Sequence, residues 1–162
     1  MTRDLRGPHR LAVSLLLAAA ALVIPAPPGI AQDGRITLIS KASFATVAEA
    51  LEKAIADQNM GLVCHANAQR GAAARGVKLA GNQVFMVFRN DFAVRIISAA
   101  REAGFEAPMR IYLYENSDGT ATLTYFKPSA VFRPYPQPEV AKVAAELDLI
   151  FQKIVAQALA VR

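Results

Sequence analysis

Chemistry in this 162-residue chain has few side chains to draw on: one cysteine and two histidines. His9 falls in an N-terminal leader described below, so acid–base or soft-ligand chemistry centres on His65 and on Cys64 directly before it. An imidazole can bind a ligand, act as a general base or hold a metal or haem, or it can satisfy polar groups at a strand end. A single histidine cannot build a multi-histidine metal site. Successive side chains on a strand point to opposite faces, so a joint Cys64–His65 metal site requires a bulge or a symmetry mate. Unpaired cysteines rank among the most buried residues, and Cys64 is expected to be a small buried hydrophobe. The alternatives are an intermolecular disulfide, a reactive thiol or a soft metal ligand.

Arg89 and Asn90 follow the apolar run Val84–Phe88. With His65 they would suit a small anion or carboxylate, provided their strands share one carboxyl edge, where ligands of parallel sheets gather. Otherwise Arg89 is a solvated turn residue paired with Asp91. Arg89 and Arg110 are expected at opposite ends of the sheet. Arg70, Arg75 and Lys78 form a basic cluster around an alanine-rich turn, expected as a solvated face or, more sharply, as a contact for anionic lipid or cell-wall polymer. Tyr112, Tyr114 and Tyr125 are expected as core or cross-strand pairs, or as the lining of a pocket.

The chain carries no Gly-x-Ser-x-Gly elbow, phosphate-cradling loop, Cys-x-x-Cys, Cys-x-x-Cys-His or His-Glu-x-x-His pattern. No motif assigns a cofactor, and hydrolase and redox readings have nothing specific behind them.

These residues need elements to position them. Arg3, Arg6 and Arg10 precede the uncharged run Leu11–Ile24, followed by Pro25, Pro27, Pro28 and small residues up to Ala31. The run falls short of the roughly 20 apolar residues a spanning helix needs, and its flanks are those of a secretory signal peptide. Residues 1–31 are therefore expected to be removed after Ala31, leaving 32–162 as a single domain that is periplasmic or secreted and not stably inserted in a membrane. Removal takes three of eighteen basic and one of thirteen acidic residues and leaves a balance of +3, no nucleic-acid signature.

Within the domain, Arg35–Ser40, Leu62–Ala66, Val84–Phe88, Arg110–Glu115 and Thr120–Phe126 read as strands. Thr46 with Glu49 reads as a capping box, opening a helix whose stripe is Val47, Leu51, Ala54 and Ile55 and which Gly61 closes. A helical turn is expected between Gln69 and Gly81. A second helix is expected from an Asp91 cap to Gly104, with Ala93, Ile96, Ile97 and Ala100 inward. Asp118-Gly119 marks a hairpin, the four-proline segment 127–138 an irregular loop, and Val140–Leu159 a long amphipathic helix. The order β-α-β-(α)-β-α-β-β-α predicts a two-layer α+β domain: a mixed sheet of about five strands, parallel within its strand–helix–strand units, with helices mainly on one face.

From about Ser43 to Ala158 the chain resembles the domain-of-unknown-function 302 family of small bacterial domains. The likeness runs through His65-Ala66-Asn67-Ala68, Gln83, Asn90, Ala107-Pro108-Met109-Arg110, Asp118-Gly119, Tyr125 and Pro128, taken in order and spacing. The resemblance implies an α+β fold and a homodimer and names no activity. Cys64 stands where the family usually has an acidic residue, and Arg89-Asn90-Asp91 where it usually has Gly-Asn-Pro, so the family's pocket would here present a cation. The sequence thus reads as a non-catalytic binding or interaction module with a small anionic ligand near His65, Arg89 and Asn90. The alternatives are a metal- or haem-associated protein using His65 or Cys64, and an enzyme with His65 as general base.

Overall fold

A computed structural model describes residues 34–162; the expected signal segment and its cleavage point lie outside the described residues. Strand β1 (Arg35–Ser43) leads into helix α1 (Phe44–Asp57), β2 (Gly61–Asn67), the short α2 (Ala68–Ala73) and β3 (Asn82–Phe88). Helix α3 (Asn90–Ala99) and a 3₁₀ turn (Arg101–Glu106) follow, then β4 (Met109–Glu115), β5 (Thr120–Phe126), the one-turn α4 (Pro128–Val131) and α5 (Pro138–Leu159).

The α+β class, the five strands and the single helical layer agree with the sequence pattern; the mixed sheet does not. The sheet runs β1-β5-β4-β3-β2, and every neighbouring pair is antiparallel. The physical reason lies in the crossovers. A helix between two strands makes them parallel neighbours only if they end up adjacent. Here α1 carries the chain from one edge strand, β1, to the other, β2, so these two run the same way but never touch. Helix α3 and the 3₁₀ turn double back, and β4 re-enters beside β3 in the opposite sense.

Alternation along the strands sorts side chains onto two faces. Phe85, Val87, Ile111, Leu113, Ala121 and Leu123 are buried beneath the helices. Val47, Leu51 and Ile55 of α1 and Val143, Leu147, Phe151 and Ile154 of α5 complete this core. Among the described residues no helix packs on the opposite face, which carries Arg35 and Thr37 from β1, Phe126 and the buried Thr122 and Thr124 from β5, Arg110, Tyr112 and Tyr114 from β4, and Val84 and Met86 from β3.

Local boundaries shift from their expected residues for identifiable reasons. Ser43 caps α1, its hydroxyl accepting from the Thr46 N–H at 3.2 Å, so the box begins one turn earlier than Thr46. Asn59, at φ 54, closes α1: Met60 N–H bonds back to Ile55 O and Asn59 N–H to Ala56 O, the paired bonds of a Schellman cap. Helix α3 has Arg89 at its N-cap position with no side-chain cap bond, and Asp91 sits in the first turn. Ala100, not Gly104, ends it, and Phe92 takes the inward place expected of Ile97, which is 46% exposed. The β4–β5 hairpin turns at Gly119, φ 81, as its Asp-Gly requires.

Candidate functional site

His65 sits on the helix face of edge strand β2, directly opposite Phe85. Its ring stacks on the Phe85 ring at 4.4 Å between centroids. Nε2 lies 3.0 Å from Gln83 Oε1 and Nδ1 lies 3.4 Å from Glu52 Oε1 of α1. Both ring nitrogens thus face side-chain oxygens. With its proton on Nε2 the ring donates to Gln83 Oε1 as that amide stands; with its proton on Nδ1 it faces Glu52, and the Gln83 amide would turn to offer its NH₂ to Nε2. Both ring nitrogens therefore already have a side-chain oxygen within 3.4 Å, while the side chain as a whole stays 29% exposed. The expected strand-end contact is met by side chains rather than backbone groups.

Beside this node lies a hollow of about 490 Å³ lined by Glu49, Glu52, Glu115, Gln69 and Gln83 with the start of α1. Glu115 spends one carboxylate oxygen on the Gly81 N–H at 2.7 Å.

Cys64 corrects an expectation: it is exposed, not buried. Leu62 pairs with Val87 and Cys64 with Met86, so Val63 is an extra, bulged residue. The bulge falls before Cys64, and Cys64 and His65 still alternate, thiol on the open face and imidazole on the helix face. No group of three or more His, Cys, Asp or Glu able to hold a metal ion occurs among the described residues.

The antiparallel β2–β3 pair separates the expected cluster. Gly61 pairs with Phe88 and His65 with Phe85, so Arg89 lies four residues along β3 from His65's partner, about 13 Å at the rise of a strand. His65, Arg89 and Asn90 do not converge, because convergence needed the strands to share a carboxyl edge. Arg89 is engaged where it stands. It donates to both oxygens of Asp91 at 2.8 and 3.1 Å and its guanidinium lies 3.9 Å over the Phe92 ring. That hydrogen bonding holds the Asp91 carboxyl below its ordinary range. Asn90 is exposed at the first turn of α3. Arg110 pairs with Met86 and Met109 with Val87, which puts Arg110 at the same end of the sheet as Arg89, not the opposite end, but on the other face.

That other face holds a cluster the sequence did not reveal. Arg35 pairs with Phe126, and Arg110 stands one residue beyond the Ile111–Tyr125 pair. Arg110, Phe126 and Arg35 therefore form one row across β4, β5 and β1, the two arginines astride the phenyl ring. At roughly 4.8 Å per strand their backbones lie about 10 Å apart. The next row is Tyr112, Thr124 and Thr37. Thr124 accepts from Arg35 Nε at 3.3 Å and shares a hydrogen with Thr37 at 2.9 Å. Tyr112 Oη accepts from Asn82, which leaves its own O–H free to donate. Arg35, Arg110, Tyr112, Thr124, Val84 and Phe126 line a hollow of about 320 Å³. Arg110 also borders a second hollow with Glu106, whose carboxylate accepts from Tyr135 Oη at 2.9 Å. Of the two arginines, Arg110 makes no ion pair among the described residues.

A family model, Domain of unknown function DUF302, matches residues 36–158. The chain belongs to this family. The fold agrees with a crystal structure of an uncharacterized conserved DUF302 protein from Bacillus stearothermophilus: TM-score 0.68, 15% identity, covering 78% of this chain and 98% of that one. At that identity the likeness speaks for the DUF302 fold alone. No curated protein matches. No described helix of this DUF302 chain is long and apolar enough to cross a membrane.

Proposed function

We propose that this DUF302 domain is an exported, non-catalytic binding module, homodimeric as the family likeness implies, that takes a small anionic ligand on the open face of its sheet. The observation that carries the reading is the row Arg110–Phe126–Arg35. Arg110 makes no ion pair among the described residues, and an anion seated over Phe126 would accept paired N–H bonds from its fork, with the Arg35 guanidinium adding positive potential from the other side of the ring. Tyr112 adds a free hydroxyl donor, and Val84 and Phe126 offer apolar contact to the ligand's body, so a carboxylate on a small apolar or aromatic frame fits better than a bare inorganic anion. The site anticipated at Arg89 loses its cation to Asp91 and Phe92. The alternatives using His65 as base or metal ligand gain less support, because Nε2 is engaged by Gln83 and Glu52 lies 3.4 Å from Nδ1.

The test is a titration of the protein with benzoate and, separately, benzamide, followed by backbone amide shifts. Benzoate is expected to perturb β4, β5 and β1 around Arg110, Phe126 and Arg35. Arg110→Gln is expected to weaken it about tenfold, the order of a lost charge-assisted hydrogen bond, and benzamide to bind no better than to that variant. Perturbation centred on Arg89 and Asn90 or on His65 would overturn the placement. A chromophore or stoichiometric metal in the purified protein, lost on His65→Ala, would overturn the reading in favour of a metal or haem protein.

A further inference from the structure

We infer that the segment from α2 to β3 is a docking loop for an anionic lipid surface, a role independent of the ligand site above. No acidic residue occurs between Asp57 and Asp91, and within that stretch Arg70, Arg75 and Lys78 gather on α2 and the loop after it. All three are exposed, and none makes an ion pair among the described residues. Two large apolar side chains are interleaved with them in the open: Val77, 55% exposed, and Leu79, 42%. Cations alternating with exposed aliphatic side chains suit a bilayer interface, where charges meet anionic headgroups and apolar tips enter the acyl boundary. A soluble polyanion would use the cations but gain nothing from Val77 and Leu79.

The loop is built to hold this presentation. Gly76 adopts φ 72. Val77 N–H bonds to Ala72 O and Gly76 N–H to Ala73 O, each at 3.0 Å, the two bonds of a Schellman cap. The cap ends α2 and sends Val77 outward instead of back onto the sheet. In that motif the residue after the glycine usually finds an apolar contact on the last helical turn; here Val77 shares an open hollow with Ala68, Gly71, Ala72 and Arg75 and still leaves about half of its surface exposed. An acidic hollow of Glu49, Glu52 and Glu115 borders α2 at Gln69; Glu52 meets His65 and Glu115 accepts from the Gly81 N–H, and none of the three carboxylates forms an ion pair with Arg70, Arg75 or Lys78.

The experiment is sedimentation of the protein with vesicles of phosphatidylcholine alone or mixed with phosphatidylglycerol, combined with hydrogen exchange. Exchange is read separately over residues 68–81 and over residues 1–31, whose apolar run can itself enter lipid. The expected result is slowed exchange at 68–81 with phosphatidylglycerol only, reversed by salt. Each cation is expected to contribute about fivefold to partitioning, so Arg70→Gln/Arg75→Gln/Lys78→Gln loses on the order of a hundredfold. Val77→Ser/Leu79→Ser, which keeps every charge, is expected to weaken vesicle binding at least tenfold and to leave weak heparin binding unchanged. Protection confined to residues 1–31, or binding that survives the triple charge variant, would overturn the inference. A serine pair that binds vesicles as well as the parent would also overturn it, in favour of a polyanion partner. The benzoate titration is unaffected by any of these outcomes.

Discussion

Replacing His65 with alanine separates a structural histidine from a functional one. The ring's stack on Phe85, a residue with no exposed surface, is an aromatic pair of about 0.5–1.5 kcal/mol. Its hydrogen bond to Gln83 adds about 0.5–1.5 kcal/mol. The contact with Glu52, half exposed, adds little once solvent screens it. His65→Ala should therefore cost about 2 kcal/mol. With a urea slope of about 1–3 kcal/mol/M for a domain of this size, the unfolding midpoint falls by roughly 1 M. The chain has no tryptophan, so the transition is followed by circular dichroism. His65→Phe keeps the stack and drops both polar contacts, and should recover about half of the loss. If His65→Ala unfolds at the parent's midpoint, the contacts do not carry the ring, and the reasoning that assigns it to structure fails.

Two further substitutions and one titration follow from the same geometry. A methyl group added at Gly81 would stand 2.5 Å from Phe44 Cδ1, a ring that is 8% exposed; Gly81→Ala should cost about 1–3 kcal/mol by overpacking and Phe44→Leu should recover part of it in the double variant, a coupling read from thermal melts. Stability should also fall in acid. Hydrogen bonds from Arg95 to Glu146, from Arg89 to Asp91 and from Lys53 to Asp57 hold these carboxyls below their ordinary values; groups depressed in the folded state contribute stability above the unfolded pKa, near pH 4, and lose it as pH falls through the folded one. Arg95→Gln removes the hydrogen bonds that depress Glu146 and should flatten the melting temperature's dependence on pH as the pH falls below the unfolded carboxyl value near 4; a slope equal to the parent's would show that the α3–α5 clamp does not persist in solution.

Most elements were legible because their periods are strong. The α5 stripe places eight side chains in the core, from Val140 to Ala158, and Asp118-Gly119 fixes the hairpin by the φ only such a dipeptide favours. Strand sense was not legible. The strand and helix pattern leaves open whether a crossover returns beside its starting strand, and β1 pairs instead with β5, the last strand in the chain. The Arg110–Phe126–Arg35 row shared that blind spot. Arg35 and Arg110 lie far apart in the chain, and only the antiparallel register through Phe126 brings them into one row. One signal was available: the alternation Arg110, Tyr112, Tyr114 beside buried Ile111 and Leu113 marks an uncovered face. The Arg89–Asp91 pair was legible because it is two residues long; the His65–Glu52 contact was not, since it depends on where α1 crosses the sheet.

Both edges of this sheet are irregular, and that bears on how a dimer could form. On β1, Ile39 pairs with Thr122 and Ser43 with Thr120, so two residues of β1 have no partner across the strand; Ser40 turns inward there, its hydroxyl accepting from the Ala42 N–H at 3.0 Å. On β2, Val63 is bulged. Bulged edges do not offer the straight row of N–H and C=O groups that edge-to-edge pairing requires. A second copy would then meet a face rather than an edge, and among the described residues the open face is the one without helices. Two copies related by a twofold axis there would bring Arg110 of each, which makes no ion pair among the described residues, toward that of the other; if the proposed anion binds there, benzoate is expected to shift the oligomeric state toward the pair, and by reciprocity the pair would hold benzoate more tightly.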